Sequence, residues 1–206
     1  RWEKMLFQVG LGAVIGLFAW KLAGDSEAAR SLTLPFMRTY VPGTETLTVA
    51  PTLIVLSAGA FITLAIVMVS GFANAVNITD GLDGLAPGTV MIASFAMMVL
   101  SNIAGSSDLA GHLLLPFVDG AAELMIVAGA MAGACLGFLW FNCKPAQVFM
   151  GDTGSLPLGG GLAAIAVIIR EEFLLILIGG VFVVEIGSVI LQVGWFRMTG
   201  GKRIFG

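Results

Sequence analysis

The sequence predicts an all-α protein, a polytopic membrane helix bundle with about six crossings in 206 residues. Three features predict it. Hydrophobic residues make up 58% of the chain and charged residues only 11%, whereas soluble domains carry about 25% charged residues. The apolar residues gather into runs near the ~20 residues that one helical crossing needs. The few polar clusters sit between those runs. A net charge of −3 is too small to argue for acidic or basic partners, and nothing points to nucleic acid. Cys135 lies in an apolar run and Cys143 just beyond it, so both read as unpaired packing thiols and not as a disulfide.

The runs fall at about Met5–Ala23, Val49–Gly71, Pro87–Gly105, Ala121–Phe141, Gly154–Ile169 and Phe173–Gly194, in one transmembrane domain over 1–206. The first is too long for a signal-peptide core and lacks a small-residue cleavage site before Lys21, so it reads as a span. The polar connection 24–48 holds Pro35, Pro42 and Gly43, which predict a short hairpin around Pro42-Gly43. The fourth run carries Gly129, Gly133 and Gly137 at four-residue spacing, a face that lets another helix approach. The fifth is short and interrupted by Gly159-Gly160-Gly161, so it is expected to be enclosed by other helices. Arg170-Glu171-Glu172 reads as a solvated turn before the sixth.

Six crossings put both ends on one side. That side holds Arg1, Lys4, Lys144, Arg197, Lys202 and Arg203, against Lys21, Arg30, Arg38 and Arg170 on the other. The excess places the ends in the cytoplasm. Whatever the orientation, the segments Asn74–Leu85 and Asn142–Thr153 share a face and can build one site.

In the first segment Asn74, Asn77, Asp80 and Asp83 recur every third residue, with Gly81 and Gly84 on the same period. On a helical turn that spacing aligns them along one side. No basic residue lies within the stretch, so a metal ion or polar ligand is the expected partner; the plainer reading is a solvated loop of Asx turns. In the second segment Asp152 stands between Gly151 and Gly154 at a helix start. Helix N-termini favour phosphate, and Mg²⁺ bridges one or two carboxylates to substrate phosphates. The plainer reading of Asp152 is a helix N-cap. Phe149, three residues earlier, offers an interface contact or a platform for an aromatic ligand. Lys144 reads as an interfacial anchor or a phosphate contact, and the lone His112 as a solvated loop residue. Glu185, Ser188 and Gln192 form a polar stripe at i, i+3 and i+7 in the last run; an acid there is either functional or bonded to a neighbouring helix.

Three segments carry a resemblance. NAVNITDGLDGLA (Asn74–Ala86) is similar to the polyprenyl-phosphate N-acetylhexosamine-1-phosphate transferase superfamily. PAQVFMGDTGSL (Pro145–Leu156) and REEFLLILIGGVFVVEIGSVILQV (Arg170–Val193) narrow it to the bacterial phospho-N-acetylmuramoyl-pentapeptide transferases of peptidoglycan synthesis. The resemblance covers nearly the whole chain and is weakest in Ala23–Thr48. It implies transfer of phospho-N-acetylmuramoyl-pentapeptide from UDP-N-acetylmuramoyl-pentapeptide to undecaprenyl phosphate, with UMP released. It implies Mg²⁺ as cofactor and a multi-pass protein of the bacterial cytoplasmic (inner) membrane, its site facing the cytoplasm; a homodimer stays open. Asp80 and Asp152 match the catalytic positions, Asp152 as the metal ligand. Asp83, Gly81, Leu82 and Asn142 match the uracil-contacting group, and Phe149 the aromatic that stacks on uracil. Asn77, Asp80 and Gly151 match residues near the ribose and diphosphate.

Two features of the resembled family find no match here: an aspartate pair on an earlier cytoplasmic loop and a histidine-rich segment after the last span. Its members have ten spans. These 206 residues are therefore expected to be a central-to-C-terminal piece, inactive alone. A relative handling another UDP-N-acetylhexosamine is the nearest alternative. An ion-coupled transporter using Asp80, Asp83 and Glu185 is the alternative of another class, disfavoured because the acids cluster on one face and not at the midplane.

Overall fold

The computed structural model describes residues 2–24, 27–32 and 54–201. The elements are helical throughout: α1 (Trp2–Leu22), α2 (Glu27–Arg30), α3 (Ala58–Thr79), α4 (Leu85–Ala104), α5 (Ser107–Leu113), a 3₁₀ turn (Ala121–Glu123), α6 (Leu124–Asn142), α7 (Gly151–Ile169), α8 (Glu172–Ile178) and α9 (Gly180–Met198). Six of these helices, α6 counted with its 3₁₀ turn as Ala121–Asn142, are long and apolar enough to cross a membrane. The chain is a multi-pass membrane protein. The hairpin expected around Pro42-Gly43 lies outside the described residues.

α3 is the centre of the bundle, with α1, α7 and α9 packed around it; α4 joins α6 to α7. Its buried side carries Phe61, Ala65, Val69, Phe72 and Val76, the 3.6-residue period of a helix face. Lipid supplies no hydrophobic drive between helices, so close backbone approach does the work. α1 approaches through Gly12 and Gly16: a Cβ on Gly12 would lie 2.8 Å from Ile66 Cα, and one on Gly16 2.9 Å from Ala65 Cβ. α7 approaches through Gly159, where a Cβ would lie 2.3 Å from the Phe72 carbonyl oxygen. The glycine row on α6 behaves otherwise. Only Gly129 meets a neighbour, Met98 Sδ, while Gly133 and Gly137 face open space among the described residues.

The glycine triplet of the fifth run does not interrupt it. α7 continues from Gly151 to Ile169 through Gly159–Gly161 and Pro157. It is the most enclosed of the spanning helices, and neighbouring helices hold it where propensity would not. The second run also differs. Residues 54–57 precede the helix, and α3 runs on to Thr79, so Asn74 and Asn77 stand on its last turns and not in a loop. The sixth run is two helices, α8 and α9, separated at Gly179.

Arg170-Glu171-Glu172 is not a solvated turn. All three residues are buried, Arg170 to 2% exposure. Arg170 takes a left-handed backbone (φ 66°) that ends α7. Its guanidinium bonds Glu172 at 2.6 Å, donates to the Ser31 carbonyl at 3.1 Å and lies 4.2 Å from the Phe61 ring centroid. Burial pushes the Glu172 carboxyl up and the Arg170 guanidinium down, each resisted by its partner's charge. The partners that bury the cluster come from residues 31 and 61, which no local reading of a turn can see. The cluster closes the end of the bundle away from Asp152.

Candidate active site

At the other end, the last turn of α3 meets the first turn of α7 and the start of α1. Asn77, on α3, donates through Nδ2 to Asp152 Oδ1 and to Ser155 Oγ, each at 2.8 Å. Ser155 is buried and donates to the Gly151 carbonyl at 2.9 Å, so the first turn of α7 is braced from within. Asp152 Oδ2 pairs with Lys4 Nζ of α1. One turn further along α1, Gln8 Oε1 accepts from Asn74 Nδ2 at 2.9 Å. Three helices from distant parts of the chain therefore converge on one carboxylate.

Asp80 ends α3 and accepts the Gly151 N–H at 3.1 Å. A carboxylate at that point complements the positive end of α7. Partial burial raises its carboxyl above the usual 3.8, and the Gly151 N–H pulls it partway back. Asp152 is not an N-cap. α7 begins at Gly151, Met150 stands in the cap position without a side-chain bond, and the Asp152 carboxylate faces Lys4 and Asn77.

The remaining polar residues join the two loops. Asp83 Oδ2 accepts the Ala146 N–H at 3.1 Å. Asn142, 2% exposed, accepts the Gly84 N–H at 2.9 Å and donates to the Val148 carbonyl at 2.7 Å. Gly84 has φ 78°, a left-handed conformation that suits glycine, and α4 starts immediately after it. Leu82 and Phe149 project from these loops, 70% and 74% exposed, and Gly81 is exposed beside Leu82. The structure thus brings Asn77, Asp80, Gly151 and Asp152 together, and sets Asp83 and Asn142 as the pins of the adjoining loop pair. It leaves Leu82 and Phe149 as an apolar rim.

Sequence reasoning missed Lys4 and Ser155 as members of this group. The signal for Lys4 was present: an even number of crossings puts the start of the first helix on the face of the acids. It was counted only as a topological charge. Ser155 gave no signal, because a serine in a glycine-rich turn is common.

Asp152, with Asp80 close by through Gly151, is the residue that could hold a metal ion. Among the described residues no three His, Cys, Asp or Glu side chains cluster into a protein cage. The donor set suits a hard cation that keeps waters and takes substrate oxygens, as Mg²⁺ does.

Residues 6–170 match the family model described as glycosyl transferase family 4. The chain belongs to that family. Among its family 4 relatives, the phospho-N-acetylmuramoyl-pentapeptide-transferase of Desulfotalea psychrophila is 46% identical over 203 residues, 98% of this chain and 52% of that protein. The proteins of the same name from Methylacidiphilum infernorum and Geobacter sp. are 45% and 48% identical over the same shares. The chain spans about half the length of the curated family 4 relatives it matches.

Proposed function

We propose that the full-length protein transfers phospho-N-acetylmuramoyl-pentapeptide from UDP-N-acetylmuramoyl-pentapeptide to undecaprenyl phosphate at the cytoplasmic face of the bacterial inner membrane. The observation that carries this reading is the meeting of Asp152, Asn77 and Lys4 beside Asp80 at the start of α7. Relatives named for this transfer, at 45–48% identity, support the choice of sugar.

In this reading a lipid phosphate oxygen attacks the phosphorus that bears the sugar. The bond from that phosphorus to the UMP oxygen breaks, and UMP leaves. Such transfers depend on positioning and on neutralising charge. Asp152 would hold Mg²⁺, which offsets the negative charge of the diphosphate. Asn77 fixes the rotamer of Asp152. Lys4 brings a positive charge to the same point. Asp80 fixes the first amide of α7 and with it the position of Asp152. Asp83 and Asn142 hold the loops that present Leu82 and Phe149, whose exposed faces suit a nucleobase.

The test is UMP release by the full-length protein in detergent with undecaprenyl phosphate and Mg²⁺, offered UDP-N-acetylmuramoyl-pentapeptide or UDP-N-acetylglucosamine. Only the first should be consumed. Asp152→Asn should lose about 10²–10³ of the rate. Consumption of the second sugar instead, or near wild-type turnover in Asp152→Asn, would overturn the proposal.

A further inference from the structure

Asp152 has a partner on each oxygen. Asn77 Nδ2 donates to Oδ1 and also to Ser155 Oγ, so the carboxylate is held in one orientation. Oδ2 carries the Lys4 ammonium. Both side chains of that pair are substantially exposed. The ammonium therefore has room to leave while the carboxylate stays where Asn77 holds it.

The backbone beneath Lys4 has no such freedom. One turn further along α1, Gln8 Oε1 accepts from Asn74 Nδ2 of α3 at 2.9 Å. Beyond that, Gly12 and Gly16 set α1 directly against Ile66 and Ala65 of α3. Lys4 is thus a cation on a short flexible tether to a fixed helix. A tether of that kind gives an effective concentration on the order of millimolar or above, which dilution does not lower. A magnesium ion sits about 2.0–2.1 Å from its oxygen ligands. An ammonium kept on the same oxygen would stand within a few ångströms of it, and like charges at that range repel. Oδ2 can serve one of the two cations well, not both.

We propose that Lys4 competes with the metal ion for Asp152, holding metal affinity down and giving up the carboxylate when a divalent ion takes it. The inference rests on the reading of Asp152 as the metal ligand given above. The released ammonium is then free to meet an anion. One side chain thus sets how tightly the carboxylate holds a metal and still supplies charge to a phosphate. The consequence has an unusual sign: a neutral residue at position 4 tightens metal binding and slows turnover.

The test is Mn²⁺ binding to the full-length protein in detergent, read from the electron paramagnetic resonance signal of free Mn²⁺, with no nucleotide added. Lys4→Met should bind Mn²⁺ about three- to tenfold more tightly than wild type, the scale of a half-exposed charge pair. Lys4→Gln is a second neutral variant, so that misfolding of one does not end the test. Lys4→Arg keeps the charge and should stay near wild type. The gap between neutral and cationic variants should narrow as salt is raised. Asp152→Asn should lose this binding. Unchanged or weaker Mn²⁺ binding in the neutral variants, with binding still lost in Asp152→Asn, would overturn the competition and leave Asp152 as the metal ligand. Lys4→Arg binding as tightly as Lys4→Met would overturn it as well, because the effect would not be one of charge. Binding that survives Asp152→Asn would overturn both the competition and the metal reading.

Discussion

Asn77 Nδ2 lies 2.8 Å from Asp152 Oδ1 and the same distance from Ser155 Oγ. One carboxamide thus ties the last turn of α3 to the first turn of α7 across 75 residues of sequence. The central helix of the bundle therefore decides where the carboxylate points.

Asn77→Ala should leave the fold in place and free the Asp152 rotamer. In the full-length protein UMP release should fall by about tenfold to a hundredfold, as expected when a positioning contact is lost. Mg²⁺ titration of the rate should show a weaker apparent affinity. An unchanged rate with an unchanged Mg²⁺ dependence would reduce Asn77 to a packing residue.

Lys4→Met separates charge from packing. Both partners of the Lys4–Asp152 pair are substantially exposed, so its loss should cost at most about 1 kcal/mol of stability. Turnover should drop on the order of a hundredfold if the ammonium acts on the transferring phosphates. Thermal unfolding and kcat, measured on the same preparation, check the two halves separately.

Asn142→Ala removes both bonds of a buried carboxamide and strands the Gly84 N–H and the Val148 carbonyl. The expected cost is about 1–3 kcal/mol, with a raised KM for the UDP substrate and a smaller change in kcat. Asn142→Asp can still accept from Gly84 but cannot donate to Val148. Its second oxygen also faces the Val148 carbonyl at a buried site, so it should melt no higher than the alanine variant.

Gly159→Ala tests the approach of α7 to α3. The added methyl meets the Phe72 carbonyl, which is backbone and cannot swing aside. Overpacking of this kind costs about 1–3 kcal/mol, and the helices must separate, stretching the Asn77–Asp152 contact. Lower melting temperature together with lower activity is expected. Gly133→Ala, on the open face of α6, should change neither.

The Arg170–Glu172 pair predicts a contrast between single and double variants. Glu172→Leu alone takes the bonded carboxylate from a buried guanidinium, a loss of up to about 3–5 kcal/mol that the charge of Glu171 partly offsets. Arg170→Met with Glu172→Leu removes the bonded pair together but leaves buried Glu171 without the charge of Arg170, so the double variant should recover only part of that loss. Burial raises the folded-state pKa of Glu172. Its contribution to stability is therefore fully present below the unfolded value near 4.5 and is lost as pH rises through the raised one. Melts of the double variant across that range should be flatter than those of the parent.

The sequence by itself determined the fold class. Runs of apolar residues near 20 long must become helices that cross the bilayer, because backbone polar groups have no other partners there. It also placed Asn77, Asp80 and Asp152 on one face, since the parity of the crossings is enough for that. What it could not supply was contact. Lys4 and Asp152 are 148 positions apart, and no periodicity links them. Arg170 and Glu172 looked like a wet turn because the residues that bury them, Ser31 and Phe61, lie far off in sequence. The glycine rows had the same limit: Gly12, Gly16 and Gly159 draw helices together and Gly133 does not, although all are glycines in apolar helices. Spacing names the surfaces that can pack or bind. Which surfaces meet depends on the joint packing of all the helices, and only the tertiary structure decided that.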